Sequence, residues 1–300
     1  MLCQPLNFMQ TPKLYIGTAG WSYNDWVPNF YPFSQSKEFS WLKYYSRYFN
    51  TVEVNSTYYT YLAPNIIKNW LRQIEEIDEF LFTVKLHMDF THKHSFTEEQ
   101  FQAVRYNLDI LKESERLGGV LMQFPYSFAC TKPNIDYLGQ LIKKFEGYDK
   151  FVEVRHKSWQ GKKAKTITFC TIDQPQIGEA IEFNPVVGNK MAYIRFHGRN
   201  TDAWKRSLSN FGKKQTYEER SARYEYLYSP GELIEISERI KEIYDKVKKV
   251  FVIMNNHPHG DAVANAFELM HYLRDRAKVK MPPTITKAYP RLKEFATASR

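Results

Sequence analysis

Polar and charged side chains recur near the ends of short apolar runs in this sequence of 300 residues. Within four of those runs they stand two residues apart, a spacing that places them on one face of a strand. These sets are Glu53, Asn55 and Thr57; Lys85 and His87; Glu153 and Arg155; and Arg195 and His197. The other candidates, at or just past the ends of runs, are Thr18, Trp21, Gln123, Asp173, Arg199, Asn255 and Asn256. If the runs are neighbouring strands, these side chains meet in one pocket.

The residue types at these positions suggest what such a pocket would do. Cations can clamp a phosphate or a carboxylate, and Arg does so bidentately. The cationic candidates are Lys85, Arg155, Arg195 and Arg199. Carboxylates and imidazoles can transfer protons as general acids and bases. The candidates for that catalytic role are Glu53, Glu153, Asp173, His87 and His197.

The same residues also fit a purely structural arrangement. Glu153 and Arg155 share one face of one strand, and a buried charge is costly unless it is paired. A buried ion network that only holds the fold is therefore the alternative to a functional pocket. No compact ligand motif such as HExxH occurs, so we predict no metal site, and the sequence does not define a cofactor.

The positioning elements follow from an alternation of short apolar runs with helical patterns. The candidate strands are 14–20, 51–57, 81–87, 119–125, 150–156, 169–175, 191–198 and 250–256. The candidate helices are 39–49, 64–74, 97–117, 133–145, 229–247 and 261–274. Alternation of this kind indicates an α/β protein with parallel strands, and eight units favour a single-domain (β/α)8 TIM-like barrel. An open doubly wound sheet is the alternative, although no GxGxxG or P-loop spacing supports it.

We place the barrel at residues 14–277, between an N-terminal extension at 1–13 and a basic tail at 278–300. The intervals after the fifth and sixth runs have room only for short helices. The polar stretch from 199 to 228 predicts a long functional loop after the seventh strand, since long loops in compact domains are usually lids or binding elements. The tail is either docked on the barrel or frayed. Because the active sites of barrel enzymes lie at the C-terminal ends of the strands, we expect the pocket there.

Two segments beside the predicted pocket allow two interpretations each. The aromatic loop from Trp21 to Tyr31 either contacts a ligand ring, for which Trp21 is favoured, or plugs the barrel with Trp26 and Phe30. The run from Asn255 to His257 precedes Gly260 and a predicted helix. It is either an anion site at a helix N-terminus or a turn capped by Asp261.

Composition bounds the partners and the compartment. The net charge of +9 favours anionic partners, either phosphorylated metabolites or nucleic acid. The three cysteines, Cys3, Cys130 and Cys170, are scattered, which disfavours a disulfide framework or a zinc cluster and favours a reducing cytoplasm. No apolar run is long enough to cross a bilayer and no signal core occurs, so we expect a soluble cytoplasmic protein without a membrane partner. The oligomeric state is left open.

The order of motifs resembles the domain of unknown function 72 family, also described as YecE-like. The matching stretches include IGTAGWSYNDW (16–26), YYSRYFNTVEVNSTYY (44–59), FTVKLHMDFTH (82–92), LGGVLMQFP (117–125), VEVRHKSW (152–159), YIRFHGR (193–199) and VIMNNHPHGDAVANA (252–266). The resemblance spans residues 14–270 and implies a TIM-like barrel without implying a reaction. The family's characteristic positions overlap the predicted pocket and add Gly20, His92, Trp159 and Gly198. Pro28 departs from the usual Gly, and neither 203–219 nor the tail matches a family motif.

Three functions compete at this point. The first is an enzyme, a hydrolase, lyase or isomerase, that acts on a small anionic or sugar-phosphate-like substrate. Lys85, Arg155 and Arg195 would hold the anion, with Glu53 or Glu153 as the base and His197 or His87 assisting. The second is a nucleic-acid-binding or processing protein, an endonuclease-like barrel, and the third is a non-catalytic ligand sensor.

Overall fold

The computed structural model describes residues 12–210 and 216–297 and contains nine parallel strands in one sheet that curls into a nearly closed barrel. The strands are β1 (Lys13–Ala19), β2 (Thr51–Val54), β3 (Leu81–Lys85), β4 (Leu117–Gln123), β5 (Lys150–Glu153), β6 (Thr168–Phe169), β7 (Thr171–Asp173), β8 (Met191–Phe196) and β9 (Lys249–Met254). They pair in the order β6-β5-β4-β3-β2-β1-β9-β8-β7. The prediction of an α/β, TIM-like barrel is confirmed.

The strand count differs from the predicted eight because one barrel position is split. Cys170 alone separates β6, which pairs with β5, from β7, which pairs with β8. The backbone N–H of Cys170 donates to the carbonyl of Val152 at 2.9 Å and so continues the pairing with β5. The two ends of the sheet therefore meet within one interrupted strand, and the open-sheet alternative is excluded.

The barrel interior is filled by an aromatic layer with a polar layer above it. The rings of Phe151 and Tyr193 stack at 4.2 Å, and those of Tyr15 and Phe251 stack at 4.8 Å. A Cβ added at Gly118 would lie 3.1 Å from the Phe251 ring, so the glycine makes room for that ring. Side chains in layers of this kind make a barrel a packed core rather than a pore.

The helices surround the barrel, and several begin where the sequence provides a cap. Their bounds are α1 (Trp41–Tyr45), α2 (Pro64–Gln73), α3 (Met88–Thr91), α4 (Glu98–Glu113), α5 (Lys132–Lys144), α6 (Thr201–Ser209), α7 (Tyr217–Ser221), α8 (Pro230–Lys241), α9 (Asp261–Leu273) and α10 (Pro283–Ala288). Thr97 and Ser229 form capping boxes with Gln100 and Glu232, which satisfy the free N–H groups of α4 and α8.

The main departures from the predicted helices are shorter elements. The helix predicted over 39–49 is limited to α1, and the one predicted over 97–117 ends at Glu113 because Glu115 adopts a left-handed φ of 58°. The one predicted over 229–247 ends at Lys241 and is followed by a separate 3₁₀ turn at Tyr244–Lys246. After β5 the chain makes only a 3₁₀ turn at Lys157–Trp159, as the short interval predicts.

The polar stretch after β8 is not the loop that its composition predicts, because most of its described residues lie in α6, in α7 and in a 3₁₀ turn at Ala222–Tyr224. Asn200 caps α6, and Thr216 forms a capping box with Glu219 at the start of α7. These local caps explain why a segment without a clear apolar period is helical. Residues 211–215 lie outside the described residues.

The described part of the basic tail, up to residue 297, is docked on the barrel. Ile285 and Leu292 are fully buried, and the Arg291 guanidinium donates to the Glu268 carboxylate at 2.7 Å. Residues 298–300, and residues 1–11 with Cys3, lie outside the described residues. In the described ranges, no helix is both long enough and apolar enough to cross a membrane.

Candidate functional site

Arg195, on β8, lies at the centre of the polar layer and is completely buried. Its Nε and Nη2 donate to the two carboxylate oxygens of Glu53, on β2, at 2.8 and 2.6 Å. Its Nη1 donates to the carboxylate of Glu153, on β5, and to Oε1 of Gln123 at 2.9 Å. One guanidinium therefore joins strands from opposite sides of the barrel.

Arg155 and His197 extend this arrangement around Glu153. Arg155 Nη2 donates to Glu153 Oε1 at 2.6 Å, and Arg155 Nη1 donates to Gln174 Oε1 at 3.1 Å. The amide nitrogen of Asn255 lies 2.9 Å from Nδ1 of His197, and Nε2 of that ring lies 3.3 Å from Glu153. If Nδ1 accepts from Asn255, Nε2 carries the proton of the neutral ring and donates to Glu153. We call Glu53, Glu153, Arg155, Arg195 and His197 the ion network.

The ion network is formally neutral and its carboxylates are fully occupied. Burial opposes ionisation of Glu153, but the guanidinium groups of Arg195 and Arg155 hold the pKa of its carboxyl well below the usual range. Burial lowers the pKa of His197 to about 3, so its ring is neutral at physiological pH. Tyr193 donates a further hydrogen bond to Glu53 at 2.8 Å. Each oxygen of Glu53 and Glu153 thus accepts a hydrogen bond from within the protein.

A cleft of about 550 Å³ opens above the ion network at the C-terminal ends of the strands. The strand ends contribute Asn55, Lys85, Gln123, Arg195 and Asn255 to its lining. The loops contribute aromatic rings from Trp21, Tyr23, Tyr59, Trp70, Tyr217 and Tyr224. Clefts of this size, with apolar walls and a few convergent polar groups, are typical of small-molecule sites.

The charge of the cleft is one-sided. Lys85, Arg195, Arg220 and Arg223 line it, and no Asp or Glu stands among the described residues that do so. The charge of Arg195 is compensated within the ion network, which leaves three cations facing the cleft. The guanidinium of Arg223 lies 4.8 Å from the ring of Tyr224 and has no ion pair with any described residue. A concave surface of one sign attracts ions of the opposite sign.

Lys85 is the cation at the end of β3. Its ammonium group lies 4.2 Å from the centre of the Tyr58 ring, and no residue in the described ranges gives it a hydrogen bond or an ion pair. Burial and the positive charge of Arg195 lower the pKa of the Lys85 amine to about 7. A substantial share of Lys85 is therefore uncharged at neutral pH, which an ordinary lysine is not.

Asp173 and Arg199 lie together outside the lining of the cleft. Arg199 donates to both oxygens of Asp173 at 2.7 to 3.1 Å, and also to Glu232 at 2.8 Å. The hydroxyl of Tyr228 donates to the same aspartate at 2.5 Å. This rim cluster, formed by Asp173, Arg199, Tyr228 and Glu232, ties the end of β7 to the segment that leads into α8.

His87 is also separated from the cleft, and the prediction that it shares a strand face with Lys85 is wrong. The strand ends at Lys85, and His87 caps α3, with its Nδ1 accepting from the N–H of Asp89 at 3.2 Å. Its ring stacks on Tyr61 at 4.1 Å beside a small cavity of about 30 Å³, which Lys85 also lines. The prediction that Thr57 shares a strand face with Glu53 is wrong for the same reason, because β2 ends at Val54. The Thr57 hydroxyl instead donates to the carbonyl of Lys85.

Two other predicted ligand contacts have structural partners instead. Thr18 is buried, and its hydroxyl donates to the carbonyl of Gly20 at 2.6 Å. The amide of Asn256 donates to the carbonyl of Tyr226 and to the side chain of Asn265. Both residues fix loops that border the cleft without lining it.

The aromatic first loop divides into a packed part and a part that lines the cleft. Trp26 and Phe30 are completely buried and pack against each other, with Phe30 also against rings of α1 and α9, whereas Trp21 lines the cleft and packs edge-on against Trp70. At the start of α9 the prediction that Asp261 caps the turn is wrong, because the N-cap is Gly260 and no side chain makes a capping hydrogen bond there. Asp261 is buried in the first turn and accepts a hydrogen bond from Tyr289 at 2.8 Å.

Pocket residues that the sequence did not reveal come mainly from the segment 216–224. Tyr217, Arg220, Arg223 and Tyr224 line the cleft, whereas the sequence predicted a functional loop here without naming any of these residues. The interleaving of Arg and Tyr in YEERSARYEY (217–226) was the available signal, because this pattern is typical of surfaces that bind anionic ring compounds. In the part of the chain that the structure describes, no three His, Cys, Asp or Glu side chains are grouped to hold a metal ion.

The sequence model of the family described as "Protein of unknown function DUF72" matches residues 15–289. The chain belongs to the DUF72 family. The resemblance found in the motifs is thereby confirmed, and the match reaches past residue 277 into α10, within the docked tail. The family description specifies no reaction, so the chemistry of this DUF72 chain has to be argued from its own site.

Relatives of this DUF72 chain share its length as well as its sequence. It is 30% identical over 280 residues to the UPF0759 protein YunF of Bacillus subtilis, covering 87% of this chain and 94% of that protein. It is 25% identical over 150 residues to the UPF0759 protein YecE of Escherichia coli K12, about half of each chain. A crystal structure of a DUF72 family protein from Thermotoga maritima superposes with a TM-score of 0.74 and 31% identity, covering 87% and 99% of the two chains. A crystal structure of a DUF72 family protein from Enterococcus faecalis superposes with a TM-score of 0.71 and 26% sequence identity, covering 87% of this chain and 95% of that chain.

Proposed function

We propose that this DUF72 chain is an enzyme acting on a small anionic, sugar-phosphate-like molecule that binds in the cleft. The observation that carries the proposal is the one-sided charge of the cleft, which has cations and no carboxylate in its described lining. An anion bound there meets positive charge that the protein has not already neutralised. A neutral or cationic ligand would gain nothing from these residues.

The roles we assign differ from those that the sequence suggested. Arg155 and Arg195 are paired with Glu153 and Glu53, so they support the floor of the cleft rather than clamp the anion. We assign the clamp to Arg220 and Arg223. Glu53, Glu153 and His197 hold this support in place, because their hydrogen bonds are made within the ion network.

Lys85 is the group that we assign to the reaction itself. An amine acts as a base or a nucleophile only in its neutral form, and with a pKa of about 7 Lys85 provides that form at neutral pH. The side-chain amides of Asn55, Gln123 and Asn255 line the same cleft at the strand ends and suit the hydroxyl groups of a sugar. The surrounding tyrosine and tryptophan rings provide apolar walls for the carbon skeleton.

The test compares ribose 5-phosphate with ribose by calorimetry or thermal shift, in the wild type and in two arginine variants. Arg223→Met removes a cation of the cleft, and Arg206→Met removes an exposed cation of α6 that does not line it. Loss of charge-assisted hydrogen bonds of about 1.5–3 kcal/mol corresponds to a ten- to hundredfold rise in Kd. We expect that rise for ribose 5-phosphate in Arg223→Met and no change in Arg206→Met. Equal binding of ribose and ribose 5-phosphate would contradict the proposal.

Nucleic-acid binding is a second candidate, supported by Tyr59 and Tyr217, which are exposed aromatic residues of the cationic cleft. Such rings stack on bases, and binding of this kind weakens steeply with salt. A single-stranded DNA long enough to extend beyond the cleft, titrated at increasing salt, tests it. A steep salt dependence with weakening in both Arg223→Met and Arg206→Met supports a nucleic acid, because a long polyanion spans both positions.

Turnover of a bound sugar phosphate separates the enzyme from a non-catalytic sensor.

A further inference from the structure

We infer that Lys85 is a nucleophile that forms an imine with a carbonyl group of the anion bound in the cleft. The inference rests on the proposed function, since it assumes that small anions bind there, and it adds the substrate class: carbonyl compounds that carry a phosphate or a carboxylate. Open-chain sugar phosphates belong to this class.

The carboxylates near Lys85 are already used by other groups. Glu53 accepts from Arg195 at both oxygens and from Tyr193 at one of them. Glu153 accepts from Arg155 at one oxygen and from Arg195 at the other. Two carboxylates and two guanidinium groups cancel, so Lys85 is a third cation to which the protein offers no counter-ion among the described residues. An amine in that position is favoured in its neutral, nucleophilic form.

Lys150 shows how this protein satisfies a lysine that has only a structural role. Lys150 is buried at the start of β5, at the opposite end of the barrel. Its ammonium group donates to the carbonyls of Tyr148 at 2.7 Å and Phe145 at 3.2 Å. Lys85 makes no comparable hydrogen bond within the described residues, and it lines the cleft instead. The two lysines are therefore a matched pair, one satisfied and enclosed, the other unsatisfied and facing the ligand site.

The covalent step balances without any further reactant. The neutral Nζ of Lys85 attacks the carbonyl carbon, a C–N bond forms, and the carbonyl electrons move to oxygen. The oxygen takes up a proton while the nitrogen loses one, which gives a neutral carbinolamine. The nitrogen lone pair then expels that oxygen as water after a second protonation, which leaves a protonated imine. Overall, amine, carbonyl and one proton become iminium and water, with the protons exchanged through solvent in the cleft. The iminium then withdraws electrons from the neighbouring carbon, which is the use that lyases and isomerases make of such lysines.

The surroundings of Lys85 fit this step in two ways. Arg220 and Arg223 line the same cleft and supply the binding site for the anionic group, so the carbonyl can be presented while the charge is held elsewhere. The Tyr58 ring beside the amine carries a negative face that stabilises a cation at this nitrogen. The iminium is such a cation, and so it keeps the contact that the ammonium group makes.

The experiment is reductive trapping with dihydroxyacetone phosphate. The full chain is incubated with this ketone and sodium borohydride, which reduces an imine to a stable secondary amine, and intact mass and peptide mapping locate the adduct. We expect one predominant adduct on Lys85, with at least tenfold higher occupancy than on Lys150 or on any exposed lysine. Excess inorganic phosphate should suppress it by competing for the cleft.

Lys85→Arg is the decisive variant because it keeps a cation and removes the nucleophile. We expect it to lose the adduct while its stabilisation by inorganic phosphate in a thermal-shift assay is retained, which also shows that the variant is folded. Stabilisation of the wild type by phosphate without a selective Lys85 adduct overturns the imine and leaves the proposed anion site standing. Failure of phosphate to stabilise the wild type, together with unselective labelling, overturns both.

Discussion

Arg195 and Arg223 lie in adjacent layers at the same end of the barrel, and their surroundings differ in every respect that matters for a cation. Arg195 is completely buried and donates to Glu53, Glu153 and Gln123. Arg223 lines the cleft, packs against the rings of Trp204 and Tyr224, and has no ion pair with a described residue. The charges of the ion network are paired with one another, whereas Arg223 in the cleft above has no carboxylate partner among the described residues and can pair with a ligand.

This difference separates charges that stabilise the fold from charges that bind a ligand. A cation near a strand end is a poor guide to a binding site when the barrel supplies its carboxylates, as it does for Arg155 and Arg195. A cation without such partners at a concave surface is a better guide.

Arg195→Met should destabilise the protein by about 3–5 kcal/mol, because it leaves Glu53 and Glu153 buried with their main counter-charge removed. Chemical denaturation gives this difference in the free energy of unfolding. Arg223→Met is the matched control, with the same change of side chain in the layer above. If the two variants lose equal stability, the contrast between the layers does not hold.

Lowering the pH should destabilise the fold. Burial lowers the pKa of His197 to about 3 and that of His257 to about 4, below the value near 6.5 expected for the unfolded chain. The unfolded chain therefore binds more protons between pH 6.5 and about 4, and stability falls through that window by about 1.4 kcal/mol per pH unit for each fully titrating histidine. Burial raises the pKa of the Asp261 and Glu268 carboxyls. These two groups therefore oppose the loss of stability as the pH falls.

His257→Gln isolates one of these protons. Denaturation of the wild type and the variant at several pH values between 4 and 7 gives two slopes of unfolding free energy against pH. We expect the wild-type slope to be steeper because the variant has lost one group that takes up a proton on unfolding. Parallel slopes would mean that His257 titrates alike in the folded and unfolded chains.

Tyr193→Phe should cost about 1–2 kcal/mol, since it removes one buried hydrogen bond to Glu53 and one with Thr83 but leaves Arg195 in place. The measurement is again the free energy of unfolding. The value should fall between those of Arg195→Met and Arg223→Met. A loss as large as that of Arg195→Met would show that the hydroxyl, rather than the guanidinium, compensates the charge of Glu53.

Arg223→Met should change stability by less than about 0.5 kcal/mol, because it breaks no ion pair among the described residues. Its effect should appear instead in the binding of ribose 5-phosphate. Arg223→Met should therefore weaken ligand binding with little loss of stability, whereas Arg195→Met should mainly lower the free energy of unfolding. Marked destabilisation would place Arg223 with the structural charges.

Sequence alone determined the class of fold and the end of the barrel at which polar residues collect. Alternating apolar runs and helical patterns require parallel strands with crossovers, and the carboxyl ends of such strands meet at one end. Residues that lie within the strands followed the two-residue alternation, as Glu53, Glu153 and Arg195 do. The alternation failed at His87 and Thr57 because their strands end sooner than the apolar runs suggest.

Which charges remain unpaired depends on contacts across the barrel. In the sequence, the arginines at the strand ends look like a ligand clamp. In the structure each of them pairs with a carboxylate, as shown by Arg155, Arg195 and Arg199. Arg220, Arg223 and Lys85 reach the cleft without one among the described residues. Pairing depends on distances across the barrel of a few ångströms between residues far apart in the chain, and Coulomb energy falls steeply with distance and solvent screening. Spacing along one chain carries no information about those distances.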